Sequence, residues 1–393
     1  MDNFRFHAPT EVVFGKDVEN ETGSEAAKFG KKALLVFGKG SVVKSGLLIR
    51  VERSLENAGV VYEEFGGAQP NPTLAHAEEG VKKALEFGAD IIIGIGGGSA
   101  IDTAKAIAHG TANPDVKLWD LWTKKIPLTK STPVAAVLTM PAAGSEMSDS
   151  AVLTNEETGK KSGINTDFNR CRFAIVNPEL GMTLPKEQIA AGVTDIMMHT
   201  MERYFIPESD CDMTDEIAEG LLRTVIKNGA IIVKDPTDYH AMSEIFWASS
   251  LSHNNLTECG RGKDFSVHKF GHALSARYNS THGASLAAVW GAWADELYKG
   301  ALPRFAKFAR KVWNVEDSDD EAAARKGIDK TVEFFRSIGM PTNIKELGVE
   351  VDDAALEALS LDATMQDTVK LSRIRPLDAK EVKKIYEKAL NRA

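Results

Sequence analysis

Long apolar runs, a disulfide pattern and an excess of positive charge are all missing from this sequence. No stretch reaches the roughly eighteen apolar residues of a membrane-spanning helix, and the opening MDNFRFHAPTEVVFG lacks the apolar core of a signal peptide. The formal net charge of −9 argues against nucleic acid or an anionic membrane as the main partner. We therefore expect a globular enzyme that acts on a small molecule.

Cysteine is scarce, with Cys171, Cys211 and Cys259 widely spaced along the chain. This spacing gives neither a disulfide framework nor a CxxC pair that would support metal binding. We expect the three thiols to be reduced or buried, which is typical of a cytoplasmic protein. A length of 393 residues is long for one core and favours two domains.

The first half of the chain alternates short apolar runs with segments of helical periodicity. The runs KALLVFG, DIIIGI, VAAVL and FAIV predict strands, and DIIIGI is apolar on both faces, as in a central parallel strand. After Pro185 only helical spacing remains. The sequence predicts a Rossmann-like α/β domain over residues 1–185 and an all-α domain over residues 186–393.

A glycine turn, Gly96, Gly97, Gly98 and Ser99, follows the central strand directly. Glycine lets a pyrophosphate approach the backbone, and the N–H groups that begin the next helix attract its charge. Asp102 lies in the first turns of that helix. The strict GxGxxG pattern is not met, because Ser99 occupies its last glycine position. The alternative is a tight strand-to-helix connection without a ligand.

Two more loops follow predicted strands. Thr139 and Ser145 in TMPAAGSEMS are candidates for binding phosphate or ribose oxygens, although an ordinary small-residue loop is an equal alternative. Lys39, Ser41 and Lys44 add a cationic neighbourhood after the first strand, but each one alone is typical of a solvated surface.

Nine histidines are present, and three of them fall within DFSVHKFGHALSARYNSTHG. His268 and His272 share a helix face, and the YNST stretch predicts a helix end that can return His282 toward them. Asp195 and His199 form a second i,i+4 pair among apolar neighbours, which predicts a buried face. A buried aspartate beside a histidine is costly unless something satisfies it.

A divalent ion would satisfy these groups. One carboxylate with imidazoles suits Fe²⁺ or Zn²⁺ and suits Ca²⁺ poorly. For the Asp195 and His199 pair alone, a structural hydrogen bond is the alternative, but two such pairs together favour a metal site. The remaining histidines have no such partners and are expected to be ordinary surface or core residues: His7, His76, His109, His240 and His253.

Together these motifs resemble the iron-containing (group III) alcohol dehydrogenases, and most closely their butanol dehydrogenase and broad aldehyde reductase branch. The resemblance spans essentially the whole chain through GGGSAIDTAK, TMPAAGSE, NPELGMTLP, GVTDIMMHTMERY and HKFGHALSARYNSTHG. It implies the family's fold, shared with dehydroquinate synthase: a dinucleotide-binding α/β domain and a helical metal-binding domain. It also implies a homodimer with an alcohol or aldehyde substrate.

The resemblance implies residue roles as well. Asp195, His199, His268 and His282 would be the metal ligands. His272 would lie beside the metal without binding it, either as the catalytic proton relay or as a substrate contact. The implied cofactor-binding residues are Gly96, Gly97, Gly98, Ser99, Asp102, Thr139, Ser145, Lys161, Leu180 and Thr183. The loop after the first strand adds Gly38, Lys39, Ser41 and Lys44 to the predicted set.

The cofactor expectation depends on Lys39. Members of the family that prefer NAD resemble one another in placing an aspartate at this point, and NADP-preferring butanol-type members usually have glycine. With lysine here, no carboxylate repels a 2′-phosphate, so we expect NADP rather than NAD. The expected metal is Fe²⁺, with Zn²⁺ as the alternative.

The expected reaction is reversible hydride transfer between NADP(H) and a primary alcohol or aldehyde. One rival is a metal- and dinucleotide-dependent synthase or lyase resembling dehydroquinate synthase. The motif order fits a dehydrogenase better. Another rival is a metallohydrolase, which would leave the glycine turns unexplained.

Overall fold

The computed structural model describes residues 1–208 and 210–392. The chain forms two compact units, one of His7–Thr183 and one that combines Met1–Phe6 with Leu184–Ala393. None of the helices described is long and apolar enough to cross a lipid bilayer. All three cysteines are free and buried, which confirms that expectation.

The first unit is built on a parallel sheet whose strands lie in the order β1–β8–β5–β4–β2–β3, with β6 and β7 forming a separate antiparallel hairpin. The strands are β1 Glu11–Phe14, β2 Lys32–Phe37, β3 Val61–Phe65, β4 Ile91–Gly96, β5 Val134–Leu138, β6 Ser150–Asn155, β7 Lys160–Asn165 and β8 Phe173–Val176.

The helices of this unit cover the sheet, which explains why its central strands are continuous apolar runs. They are α1 Thr22–Ala26, α2 Ser41–Lys44, α3 Leu47–Asn57, α4 Leu74–Phe87, α5 Gly98–Ala112 and α6 Leu118–Trp122. On one face, Leu55 of α3 belongs to the same core as Leu35 and Ile93. At Gly94, a Cβ would come within 2.9 Å of Ile101 Cα in α5, so glycine permits close packing of that helix.

The strand order places three loops at one edge of the sheet. In the sheet, β3 lies on the outer side of β2, and β5 lies on the opposite side, next to β4. The direction in which successive strands are added therefore reverses between β2 and β4. Phe37 is in register with Ile95, and Gly96 with Leu138, so these three strands end together. In open α/β sheets such a reversal point is where ligands bind. The predicted cofactor loops all begin here.

The second unit is helical. Its helices are α7 Lys186–Tyr204, α8 Asp212–Ile232, α9 Tyr239–Ser252, α10 Ser266–Tyr278, α11 His282–Leu297, α12 Leu302–Trp313, α13 Asp320–Ser337, α14 Asp353–Ala363 and α15 Ala379–Asn391.

The α/β plus all-α fold predicted from the sequence is confirmed. Asp378 begins α15 with a capping box, in which its side chain accepts from the backbone N–H of Glu381. Helix α14 and the β6–β7 hairpin were not predicted from the sequence. The hairpin was hard to find because its strands are short, and β7, KKSGIN, lacks a clear alternation of apolar and polar residues.

Candidate metal centre and cofactor edge

Helix α7 carries the predicted Asp195 and His199 on one buried face, with 3% and 5% of each residue exposed. The interior of the helix is made of residues such as Val193, Ile196 and Met197, all with no exposed surface. The helix therefore passes through the core of its unit and carries two polar side chains into an apolar environment.

Helices α10 and α11 bring two more imidazoles to the same carboxylate. Asp195 Oδ1 lies 3.5 Å from His268 Nε2 and 3.6 Å from His282 Nε2. Nδ1 of His199 lies 3.7 Å from the same oxygen. Asn279, with φ of 52°, ends α10 in a left-handed turn, and α11 begins at His282. The predicted helix end before His282 is therefore present.

These spacings fit a metal ion. Donors around a four-coordinate ion at about 2.1 Å lie about 3.4 Å from one another, close to the separations from Asp195 Oδ1. In the part of the chain that the structure describes, no hydrogen-bond partner reaches the buried Asp195 Oδ1, His199 Nδ1 or His268 Nε2. Such atoms are costly to bury alone, so the residues fit a divalent ion and can hold one.

Glu202 also belongs to this site, although it was not predicted from the sequence. It is 1% exposed, and its Oε2 forms a short hydrogen bond with Nδ1 of His268. Burial by itself lowers the pKa of His268, but the charges of Glu202 and Asp195 outweigh burial and raise it to about 9. Glu202 follows Asp195 by seven residues and so lies on the same helix face. The i, i+4, i+7 spacing of Asp195, His199 and Glu202 is the sequence pattern that could have identified Glu202.

His253 is also closer to the site than predicted. It was expected to be an unpartnered surface or core residue, but its ring centroid lies 4.0 Å from that of His199. Arg203 joins the two, since its Nη1 donates to the carbonyl of His199 at 2.6 Å and its Nη2 lies 3.5 Å from His253 Nδ1. Burial and these cationic neighbours hold the pKa of His199 well below its usual value, so its imidazole is neutral.

His272, the predicted catalytic residue, lies beside the site. Its ring centroid is 5.1 Å from that of His282 and 6.0 Å from that of His268. The potential ligand atoms of Asp195, His268 and His282 all lie within 4.8 Å of one another, and neither His199 nor His272 is part of that group. The structure thus brings Asp195, His268 and His282 together and places His272 next to them. His199 joins this group through the 3.7 Å contact of its Nδ1 with Asp195 Oδ1.

In the first unit, the glycine turn is packed against the second predicted cofactor loop. A Cβ on Gly97 would lie 3.4 Å from Met140, and one on Gly98 would lie 3.3 Å from Ala143. The backbone N–H of Thr139 donates to the carbonyl of Gly96 at 3.0 Å. Gly96 has φ of 154°, which favours glycine. The two loops therefore form one continuous surface at the carboxyl ends of β4 and β5.

Asp102 and Ser145 are bonded to each other. The Ser145 hydroxyl donates to Asp102 Oδ1 at 2.6 Å, and the backbone N–H of Val152 donates to Oδ2 at 2.9 Å. The ammonium group of Lys105, which is fully buried, donates to the hydroxyl and carbonyl of Ser145 and to the carbonyl of Ser150. These bonds fix the loop after β5 to α5, so both side chains are engaged within the protein.

The other predicted cofactor residues are distributed along this edge. Gly38 and Lys39 directly follow β2, and Ser41 and Lys44 bound α2; all except Gly38 are exposed. Lys161 of β7 donates to Asn71, in the loop after β3, at 2.8 Å; Asn71 was not predicted. Leu180 and Thr183 follow β8, which lies two strands from β4 in the sheet.

The chain is similar to known proteins over nearly its whole length. Residues 9–178 match the family model described as iron-containing alcohol dehydrogenase, and residues 189–390 match the C-terminal model of the Fe-containing alcohol dehydrogenase family. NADH-dependent butanol dehydrogenase A of Clostridium acetobutylicum is 36% identical over 99% of this chain and 100% of its own length. NADPH-dependent aldehyde reductase YqhD of Escherichia coli is 31% identical over the same shares.

The fold is similar to that of a solved relative. The crystal structure of NADH-dependent butanol dehydrogenase A from Thermotoga maritima superposes with a TM-score of 0.95 at 33% identity, covering 100% of this chain and 99% of that one. The similarity therefore covers the residues of both units.

Proposed function

The chain belongs to the iron-containing alcohol dehydrogenase family, and from this premise we propose that it transfers hydride reversibly between NADP(H) and a primary alcohol or aldehyde of butanol type. The observation that carries the proposal is the convergence of three imidazoles on the buried Asp195 Oδ1, at 3.5, 3.6 and 3.7 Å. The synthase alternative has no support among these relatives.

Asp195, His199, His268 and His282 would hold the metal, Fe²⁺ or Zn²⁺, since both accept oxygen and imidazole donors. When bound, such an ion supplies a Lewis acid that polarises the substrate oxygen. The protein's part is to present one buried carboxylate and three imidazoles in a fixed arrangement. The low pKa of His199 suits this role, because a protonated imidazole has no lone pair to offer.

His272 is proposed as the residue that moves the substrate proton. Its ring lies 5.1 Å from that of His282, next to the metal-binding residues but outside them. An imidazole can accept and return a proton near neutral pH, which hydride transfer to an aldehyde or from an alcohol requires. A role in contacting the substrate would use the same position.

The glycine turn at Gly96 to Ser99 and the Lys39 loop are proposed to bind the dinucleotide, which supplies the hydride from its nicotinamide ring. The carboxyl edge of β2 and β4 offers partly exposed backbone at the start of α5 for a pyrophosphate. The hydrogen bonds of Asp102 and Lys105 with Ser145 fix the loop after β5, so the surface that would contact the cofactor is already formed.

Butanal reduction tests the proposed activity directly. We expect metal-loaded protein to oxidise NADPH, measured as loss of absorbance at 340 nm, with butanal as substrate. NADPH should also be used more efficiently than NADH. No loss of absorbance with either nucleotide and a range of aldehydes would contradict the proposal. Turnover of a phosphorylated substrate without net nucleotide oxidation would instead indicate a synthase.

Nucleotide preference is expected to depend on Lys39. The relatives include both NADH- and NADPH-dependent enzymes, so the proposal rests on the exposed Lys39, Ser41 and Lys44 at the end of β2. In Lys39→Asp, repulsion of the 2′-phosphate should lower kcat/KM for NADPH by about tenfold or more, which is ~1.4 kcal/mol. The kcat/KM of this variant for NADH should stay the same or rise.

Lys31 provides the matched control, because it is also an exposed lysine but lies just before β2, at the opposite end of that strand. Lys31→Asp makes the same charge change and should leave the ratio of the two kcat/KM values unaltered. If both variants shift the ratio equally, overall charge decides the preference and the role of Lys39 is wrong.

A further inference from the structure

Glu202 is a fully desolvated carboxylate that none of the proposed chemistry uses. It lies in α7 on the face that carries Asp195 and His199, and only 1% of it is exposed. A charged group in such a position needs specific partners. Each of its two oxygens has a partner at the start of α10, the helix that carries His268.

The first oxygen caps α10. Glu202 Oε1 accepts the backbone N–H of Val267 at 2.6 Å and that of His268 at 3.2 Å. N–H groups in the first turn of a helix have no partner within the helix, so a carboxylate there is favoured by both hydrogen bonding and the helix dipole. Glu202 therefore fixes where α10 begins relative to α7.

The second oxygen fixes the ring of His268. Glu202 Oε2 is hydrogen-bonded to Nδ1 of His268. Because two backbone N–H groups already donate to this carboxylate, it is suited to accept from Nδ1 as well, which places the ring proton on Nδ1. The lone pair is then on Nε2, which faces Asp195 Oδ1 at 3.5 Å.

We propose that Glu202 is a positioning residue for the divalent metal ion, holding His268 in the Nδ1–H tautomer with Nε2 directed toward Asp195. This inference rests on the proposed function, because it takes His268 as a ligand. Carboxylates bonded to ligating histidines orient the ring and make it more basic. Helix α7 thus supplies two ligands and also orients a third on another helix.

The test compares Glu202→Gln with Glu219→Gln. Glu219 is also buried and hydrogen-bonded, accepting from the Tyr204 hydroxyl at 2.7 Å, but it lies on α8 and contacts none of the proposed ligands. Zn²⁺ and Fe²⁺ affinities are measured by chelator competition on metal-stripped protein, alongside the melting temperature of the metal-free form. Glu202→Gln is expected to weaken binding by about 10–100-fold, and Glu219→Gln to leave it unchanged.

Unchanged affinity in Glu202→Gln, or equal loss in both variants, would overturn the inference. Asp195→Asn separates this failure from that of the proposed function: if it retains the metal, the site assignment itself is wrong. Should Glu202→Gln fail to fold, the wild-type protein still provides a test. In Zn²⁺-loaded protein labelled with ¹⁵N-histidine, His268 should show a protonated Nδ1, and a protonated Nε2 would refute the proposal.

Discussion

Replacing Asp195 with asparagine is expected to remove the bound metal and lower kcat/KM for butanal reduction by at least about a thousandfold, or ~4 kcal/mol. Asp195 Oδ1 is the single atom near which the imidazoles of His199, His268 and His282 converge. An asparagine has nearly the same shape but no charge, so it offers a divalent ion much weaker attraction. Metal content by mass spectrometry and the 340 nm assay measure both effects.

The same variant should fold, because asparagine removes a charge from a buried position rather than adding one. Circular dichroism of the metal-free protein should therefore match the wild type. His240→Gln is the control: His240 is an exposed histidine on α9, and its loss should alter neither metal content nor rate. Stoichiometric metal and full turnover in Asp195→Asn would refute the proposed site.

Replacing Gly283 with alanine is expected to lower the free energy of unfolding by about 3 kcal/mol or more, with a fall in melting temperature of roughly 6–12 °C. A Cβ at this position would lie 2.2 Å from the carbonyl oxygen of Ala191 and 2.7 Å from its Cα. Both atoms belong to the backbone of α7, so no side-chain rotation relieves the clash. The start of α11 must move, and His282 moves with it.

Metal affinity in Gly283→Ala should fall along with stability, since His282 would leave the neighbourhood of Asp195. The control lies on the same helix: at Gly291 a Cβ would come within 2.9 Å of the guanidinium group of Arg392, the far end of a flexible side chain. Gly291→Ala should therefore change stability by about 1 kcal/mol or less and leave metal binding intact. Equal behaviour of the two variants would disprove the packing argument.

Much of the fold follows from local sequence patterns. The run DIIIGI predicted β4, and the helical spacing after Pro185 predicted the helical half of the chain, which α7 opens at Lys186. The β6–β7 hairpin was not predicted, because β7 shows little apolar alternation and is stabilised by pairing with β6. Helix α14 was missed although Asp352 caps it, with its side chain accepting from Ala355.

Some residues of the candidate site were also predicted from the sequence, and others were not. Spacing identified Asp195 with His199 and grouped His268, His272 and His282, and family resemblance assigned His268 and His282 of that group as ligands. Glu202 was overlooked because a glutamate near the end of a helix usually faces solvent, and nothing local reveals that α10 begins against it. His253 was set aside for the same reason, since its contact with His199 joins α7 to the residue that follows α9.

The sequence alone therefore determined the segments, the residue types and the family to which they belong, because an i,i+4 pair on one helix and an apolar strand are properties of neighbouring residues. The tertiary structure decided which helices meet, and so the convergence on Asp195 Oδ1 and the bonds of Glu202 to α10. Such contacts depend on how closely two backbones approach. At Gly283 the backbone of α7 approaches closely because glycine has no Cβ. The sequence does not show this, because only the fold reveals that Ala191 is the neighbour of Gly283.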